Sequence, residues 1–85
     1  MARVKAFEVA GLDMWFWSND HEPPHFHARR PGQWSVEVCF MLAGNDIFQS
    51  VKPSNARMPR AIRRAIIRAV NDHRQELLEQ WEEIH

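Results

Sequence analysis

The segment His21-Glu22-Pro23-Pro24-His25-Phe26-His27 places three of the chain's five histidines within one short stretch. Its first five letters spell H-E-x-x-H, in which two histidines four apart on a helix hold zinc and the glutamate acts as base. That chemistry depends on the helix. Here the two middle positions are prolines, each lacking an N–H and each costing about 3 kcal/mol in a helix interior. Pro23 also holds Glu22 toward extended geometry. The zinc-protease helix is therefore excluded on backbone grounds.

What remains is a pair. His25 and His27 are two apart, so on a strand they share one face while Phe26 points to the other. Two same-facing imidazoles can chelate a divalent metal, bind an anion when protonated, or act as acid and base. His21 is harder to recruit. Four residues of extended or polyproline backbone span about 12–14 Å, whereas zinc–nitrogen bonds are about 2.0–2.1 Å. His21 joins a shared site only if the Asp20–Pro24 loop doubles back. His73 lies in the apolar stripe of a helix, between Val70 and Leu77, and approaches His25 and His27 if their face is inward. The candidate catalytic set is thus His25, His27 and His73. His25 and His27 are the candidate metal ligands, Asp20 or Glu22 the accompanying acid, and Asp20 and His21 candidate binding residues. The competing reading is structural: the prolines stiffen a loop and the histidines bond to backbone. Spacing alone does not bring these residues together.

The elements that must position them read as follows. "VKAFEV" and "LDMWFW" flank the turn Ala10-Gly11, "SNDHEPP" is a loop by composition, and "HFHARR" is a strand ending at Pro31-Gly32. In "QWSVEVCFM", Trp34, Val36, Val38 and Phe40 point one way and Ser35 and Glu37 the other. Gly44-Asn45-Asp46 is a turn and "IFQSV" a short last strand. From Pro59 the period changes. Ile62, Ile66, Ala69/Val70, His73, Leu77, Trp81 and Ile84 recur at steps of three and four, which predicts one long helix entered through Pro59. Asp72 with Gln75 offers an alternative, a capping pair that would start a second helix. The expected architecture is one α+β domain over residues 1–85. It comprises an antiparallel meander of four to five strands (about 3–51) covered on one face by a helix (about 59–84).

With 85 residues, such a domain buries only about 60–65% of its unfolded surface, and its four tryptophans and five phenylalanines supply much of that area. Eleven basic and eleven acidic residues balance, so overall charge predicts no polyanion partner. Cys39 is the only cysteine, which excludes an internal disulfide and fits a reducing compartment. The start lacks an apolar leader, and the longest apolar run, about Val38 to Ala43, is far too short to span a membrane. A soluble cytoplasmic protein is expected. No serine nucleophile constellation, glycine-rich phosphate loop or Cys-x-x-Cys pair supports other chemistry.

The charges of the helix are arranged against its dipole. Arg57, Arg60, Arg63, Arg64, Arg68 and Arg74 load its first half, and Glu76, Glu79, Glu82 and Glu83 its end. The macrodipole favours the reverse, by about 0.3–1 kcal/mol per charge near the termini. Antiparallel pairing of two such helices would set arginines against glutamates, which predicts a homodimer. Alternatively Arg60, Arg64 and Arg68, with Arg57, line one face and could track the phosphates of a nucleic acid. A solvated face is the plain alternative to both.

"FWSNDHEPPHFHARR", followed by an alternating strand and a helix ending "ELLEQWEE", resembles the bacterial family called domain of unknown function 4160. Its hallmark is D/N-H-x-P-P-H-x-H and then a helix with E-L-x-x-x-W. Here these are Asp20, His21, Pro23, Pro24, His25 and His27, and later Glu76, Leu77 and Trp81. The likeness runs in order from Leu12 to Trp81. The chain departs at Ala69, where many members carry a helix tryptophan, and in its arginine-rich helix start. The resemblance makes P-P-H-x-H a family signature and implies no established activity. Genes of such proteins often neighbour a second small domain in arrangements resembling toxin–antitoxin pairs. Three readings follow. The first is a protein-interaction module with a small cognate partner, one half of such a pair. The second is a histidine-dependent phosphodiesterase or nuclease using a metal or acid–base chemistry, and the third a purely structural homodimer.

Overall fold

The computed structural model describes all 85 residues, Met1–His85. Five strands, β1 (Ala2–Arg3), β2 (Asp13–Phe16), β3 (Phe26–Arg30), β4 (Trp34–Val38) and β5 (Phe48–Lys52), precede one helix, α1 (Arg60–Ile84). The strands form one antiparallel sheet in the order β1-β2-β3-β4-β5. This is the expected meander, and α1 covers one face of it. A single 3-10 turn, Gly44–Ile47, leads into β5.

The period-2 pattern explains which face α1 covers. Met14 and Phe16 on β2, Phe26 and Ala28 on β3, and Trp34, Val36 and Val38 on β4 are all buried. They form one cluster with Ile66, Val70, Leu77 and Trp81 from the helix. Aromatic edges meet aromatic faces at its centre: Phe16 lies T-shaped to Phe26 and Phe40, with ring centroids 6.2 and 6.3 Å away. The residues between them turn outward. The register sets Arg3, Trp15, His27, Glu37 and Gln49 side by side across the whole sheet. That row lies on the face the helix does not cover.

One expectation needs correction. The strand expected over Val4–Val9 is not one: β1 ends at Arg3, and after the bond from Val4 N to Met14 O the chain leaves the sheet. The cause is a side chain. Gln80, buried on α1, donates to Arg3 O at 2.7 Å and accepts from Lys5 N–H at 3.0 Å, so its amide takes the place of a ladder partner. The turn that follows is as expected, with Gly11 at φ +81°.

The helix is one element, but it is not uniform. His73 has φ −124° and ψ 16°, a break inside α1. It follows Asn71 and Asp72, both weak helix formers, and sits beside the Asp72/Gln75 pair that offered a second start. Arg74 spans the break, donating to Phe40 O at 2.8 Å, Leu42 O at 3.2 Å and Asn71 Oδ1 at 2.9 Å. The helix is thereby tied to the segment after β4. The Glu22–Pro23 and Lys52–Pro53 peptide bonds are cis.

Candidate metal centre

His25 and His27 do point to one side of β3, with Phe26 fully buried on the other. The Asp20 loop folds back over them. Asp20 Oδ2 lies 2.8 Å from His27 Nε2 and 3.3 Å from His25 Nε2. One ligand atom from each of Asp20, His25 and His27 lies within 4.8 Å of the other two. Glu37, the cross-strand neighbour of His27, brings Oε1 to 3.6 Å from His25 Nε2. The group is largely sheltered: side-chain exposure is 9% for His25, 18% for Asp20 and 20% for His27.

Hydrogen-bond direction decides what such a group can hold. His25 Nδ1 lies 2.8 Å from Pro23 O. A carbonyl oxygen only accepts, so Nδ1 carries the proton and donates. In the neutral ring Nε2 then presents a lone pair to two carboxylate oxygens. Acceptors facing one another at these distances need a cation between them, either a proton on Nε2 or a metal ion. A carbonyl-anchored imidazole is also the usual outer support of a metal-binding histidine, because the bond fixes ring and tautomer. The two separations from His25 Nε2 to carboxylate oxygens suit this. Zinc bonds of about 2.0–2.2 Å imply ligand atoms about 3.3–3.6 Å apart around a tetrahedron. His25 to Asp20 and His25 to Glu37 already match, and His27 to Asp20 need open by only about half an ångström from its hydrogen-bonded contact.

Aromatic rings wall the site. His27 stacks on Trp15 with centroids 5.5 Å apart and meets Trp17 edge-on at 6.4 Å. His25 leans on Trp81 at 5.6 Å, and His85 stacks on the far part of that support, 3.7 Å from Trp81. His85 also presents Nδ1 to Trp81 O at 2.9 Å and Nε2 to Trp17 O at 3.1 Å. It thereby joins the end of the helix to the end of β2. Beside His27 opens a cavity of about 150 Å³ whose lining includes Trp15, Ser35, Glu37, Ser50 and Lys52. Ser50, with φ +53°, sits where two residues of β5, Ser50 and Val51, oppose one of β4, Val36. Such a bulge re-aims side chains beside sites. The indole N–H of Trp15 is buried without a partner.

The remaining sequence candidates lie elsewhere. His73 is not brought to this group. Its ring stacks on Phe7 at 5.8 Å and its Nδ1 pairs with Glu76 Oε1 at 2.8 Å. Phe7 in turn meets Phe26, the residue on the opposite side of β3. His73 is thus held against Phe7 and Glu76, outside the group of converging donors. His21 and Glu22 are exposed and outside the group of converging donors. Arg60, Arg64 and Arg68 are exposed on the first half of α1, while the histidines sit against Trp81 near its end. Cys39 is buried too. Burial first, and the charge of Glu37 second, push its thiol up, so it is a neutral thiol outside the donor set. Glu37 and Trp81 are neighbours of His25 that sequence reasoning left unassigned. The signal for Glu37 was its place opposite Val36 and Val38, which puts it on the histidine face.

Residues 11–82 match the family described as domain of unknown function DUF4160. The chain belongs to this family. No curated protein and no solved structure matches it. The D-H-x-P-P-H-x-H segment of this DUF4160 chain supplies all three converging donors, and its E-L-x-x-x-W segment supplies the tryptophan beneath His25. No helix is long and apolar enough to cross a membrane.

Proposed function

We propose that this DUF4160 domain binds a divalent metal ion through Asp20, His25 and His27, with Glu37 in reach, and uses the site to hydrolyse phosphodiesters. The observation that carries this is the convergence of His25 Nε2 on two carboxylate oxygens, 3.3 and 3.6 Å away, while Nδ1 is held by Pro23 O. A bound metal would supply an acidified water and polarise a phosphoryl oxygen. The chain's own part is to fix the ligands on β3 and against Trp81, with Trp15 and Trp17 walling the site beside His27. Donors at the adjoining cavity, Lys52, Ser35, Ser50 and the unpaired Trp15 N–H, suit an oxyanion. The arginines of α1 take no part in this centre.

The test uses bis(p-nitrophenyl) phosphate and metal-loaded protein. Turnover is expected in the wild type and a loss of about 100-fold or more in Asp20→Asn and His27→Ala, as for removal of a metal ligand. A fully loaded wild type with no turnover removes the hydrolytic reading and leaves the metal site standing.

A second reading, a partner-binding module that pairs with itself or with a small cognate protein as in a toxin–antitoxin-like pair, is favoured by a separate observation. Arg57, Arg60, Arg63, Arg64 and Arg68 form no ion pair within the chain, nor do Glu79, Glu82 and Glu83. Antiparallel α1 helices would satisfy both sets at once. For the homodimer the expected mass by light scattering is twice 10.1 kDa at low salt, shifting toward monomer as salt rises. A monomer mass at every concentration rules that dimer out.

A further inference from the structure

The start of α1 holds a second arrangement, remote from the histidine centre. The helix begins at Arg60 with no side-chain cap and no acidic residue in its first turn. Its first N–H groups and its dipole make this end positive, and Arg57, Arg60, Arg63 and Arg64 add four cations with no carboxylate partner. Two hollows open among them. One, of about 370 Å³, is lined by Phe48, Val51 and Met58 together with Asn45, Arg57 and Arg63. The second, of about 160 Å³, is lined by Asn45, Arg60, Arg63, Arg64 and Ile67. Asn45 and Arg63 border both, so the hollows adjoin. The Arg63 Nε–H is shut off from solvent and has no acceptor. A buried guanidinium N–H without a partner is rare in a folded protein.

These features define complementary halves. Three arginines around a small hollow on the flank of the first two turns of α1 suit a phosphate, because guanidinium groups meet phosphate oxygens in pairs. The larger hollow falls in the size range of small-molecule sites, and its phenylalanine and methionine wall suits a flat ring. We infer that the start of α1 is a nucleotide-binding site, with a phosphate on Arg60, Arg63 and Arg64 and the base against Phe48 and Met58. The inference does not rest on the metal centre, and its test does not involve that centre. Inorganic phosphate would fill only half of the site. The same chemistry is offered by a free nucleotide and by one unit of a single strand.

Fluorescence anisotropy with a labelled ten-nucleotide single-stranded RNA, competed by unlabelled strand or by AMP, separates these sources. Binding is expected at low salt, weakening steeply as salt rises. Arg63→Gln and the exposed pair Arg60→Gln/Arg64→Gln are each expected to weaken it by tenfold or more. Competition by AMP at concentrations comparable to the strand assigns the site to a free nucleotide; competition by the strand alone assigns it to a chain. Binding of neither overturns the inference. So does binding that survives both arginine variants with the fold intact by circular dichroism. A self-association abolished by the arginine variants, with no nucleotide bound, overturns it in favour of the dimer.

Discussion

Saturating zinc raises the thermal midpoint of metal-free protein by about 10–20 °C, and it leaves the His27→Ala protein where it was. The size follows from linkage. A ligand that binds only the folded state at 100 times its dissociation constant adds about 2.7 kcal/mol, and each kcal/mol moves the midpoint of a domain this small by about 4–8 °C. The three donors come from the Asp20 loop and β3, so unfolding disperses them and the metal reports on the fold. Losing His27 as a direct ligand weakens affinity by more than about 100-fold, because even the outer partners of metal ligands are worth 10–100-fold. His27 retains 20% side-chain exposure and sits outside the apolar core, so its removal leaves the fold in place and the comparison interpretable. Equal midpoints with and without zinc, together with no metal by elemental analysis, would return the cluster to a proton-bridged trio.

Trp81→Ala has the largest expected cost to the fold itself. Large aromatic-to-alanine changes in a core cost about 3–5 kcal/mol, and a domain of 85 residues has only about 4–13 kcal/mol to lose. Trp81 is 3% exposed and touches Phe16 in the core, His25 in the site and His85 at the helix end. Its loss is therefore expected to lower the urea midpoint sharply and to loosen His25, while Trp81→Phe keeps a ring in place and loses less. Wild-type stability in Trp81→Ala would mean that the helix end is not the floor of the site. The two experiments also separate causes: His27→Ala removes the zinc response without the loss of stability that Trp81→Ala brings.

The order of elements was legible because local patterns dictate it. Trp34, Val36, Val38 and Phe40 alternate strictly, and all four are buried. The turns at Gly11 and Gly32 carry the positive φ that glycine permits. The pairing of His25 with His27 followed from the same alternation. What was not legible depended on contacts distant in the chain. Gln80 reaches across to Arg3 and Lys5 and shortens the first strand, although Val4, Ala6 and Val9 look strand-like. His73 keeps the spacing of the apolar stripe, yet the break in α1 turns it toward Phe7 and Glu76. Asp20 was a candidate by proximity in sequence, but only the folded loop puts its carboxylate between two imidazoles. Glu37 needed the register of β3 against β4, which no local pattern fixes.

The two outermost strands have a consequence of their own. An open sheet normally offers unpaired backbone at its edges, where a foreign strand can add and growth can continue. Here β1 is two residues long, and a helix amide occupies the backbone where it ends. On the other side β5 is interrupted by the bulge at Ser50, ends in Lys52 and runs straight into Pro53. Neither border presents a long, flat template. The sheet is therefore poorly suited to capturing an extended peptide as a sixth strand or to stacking into fibrils. Whatever associates with this domain meets side chains on its faces rather than backbone at its rim.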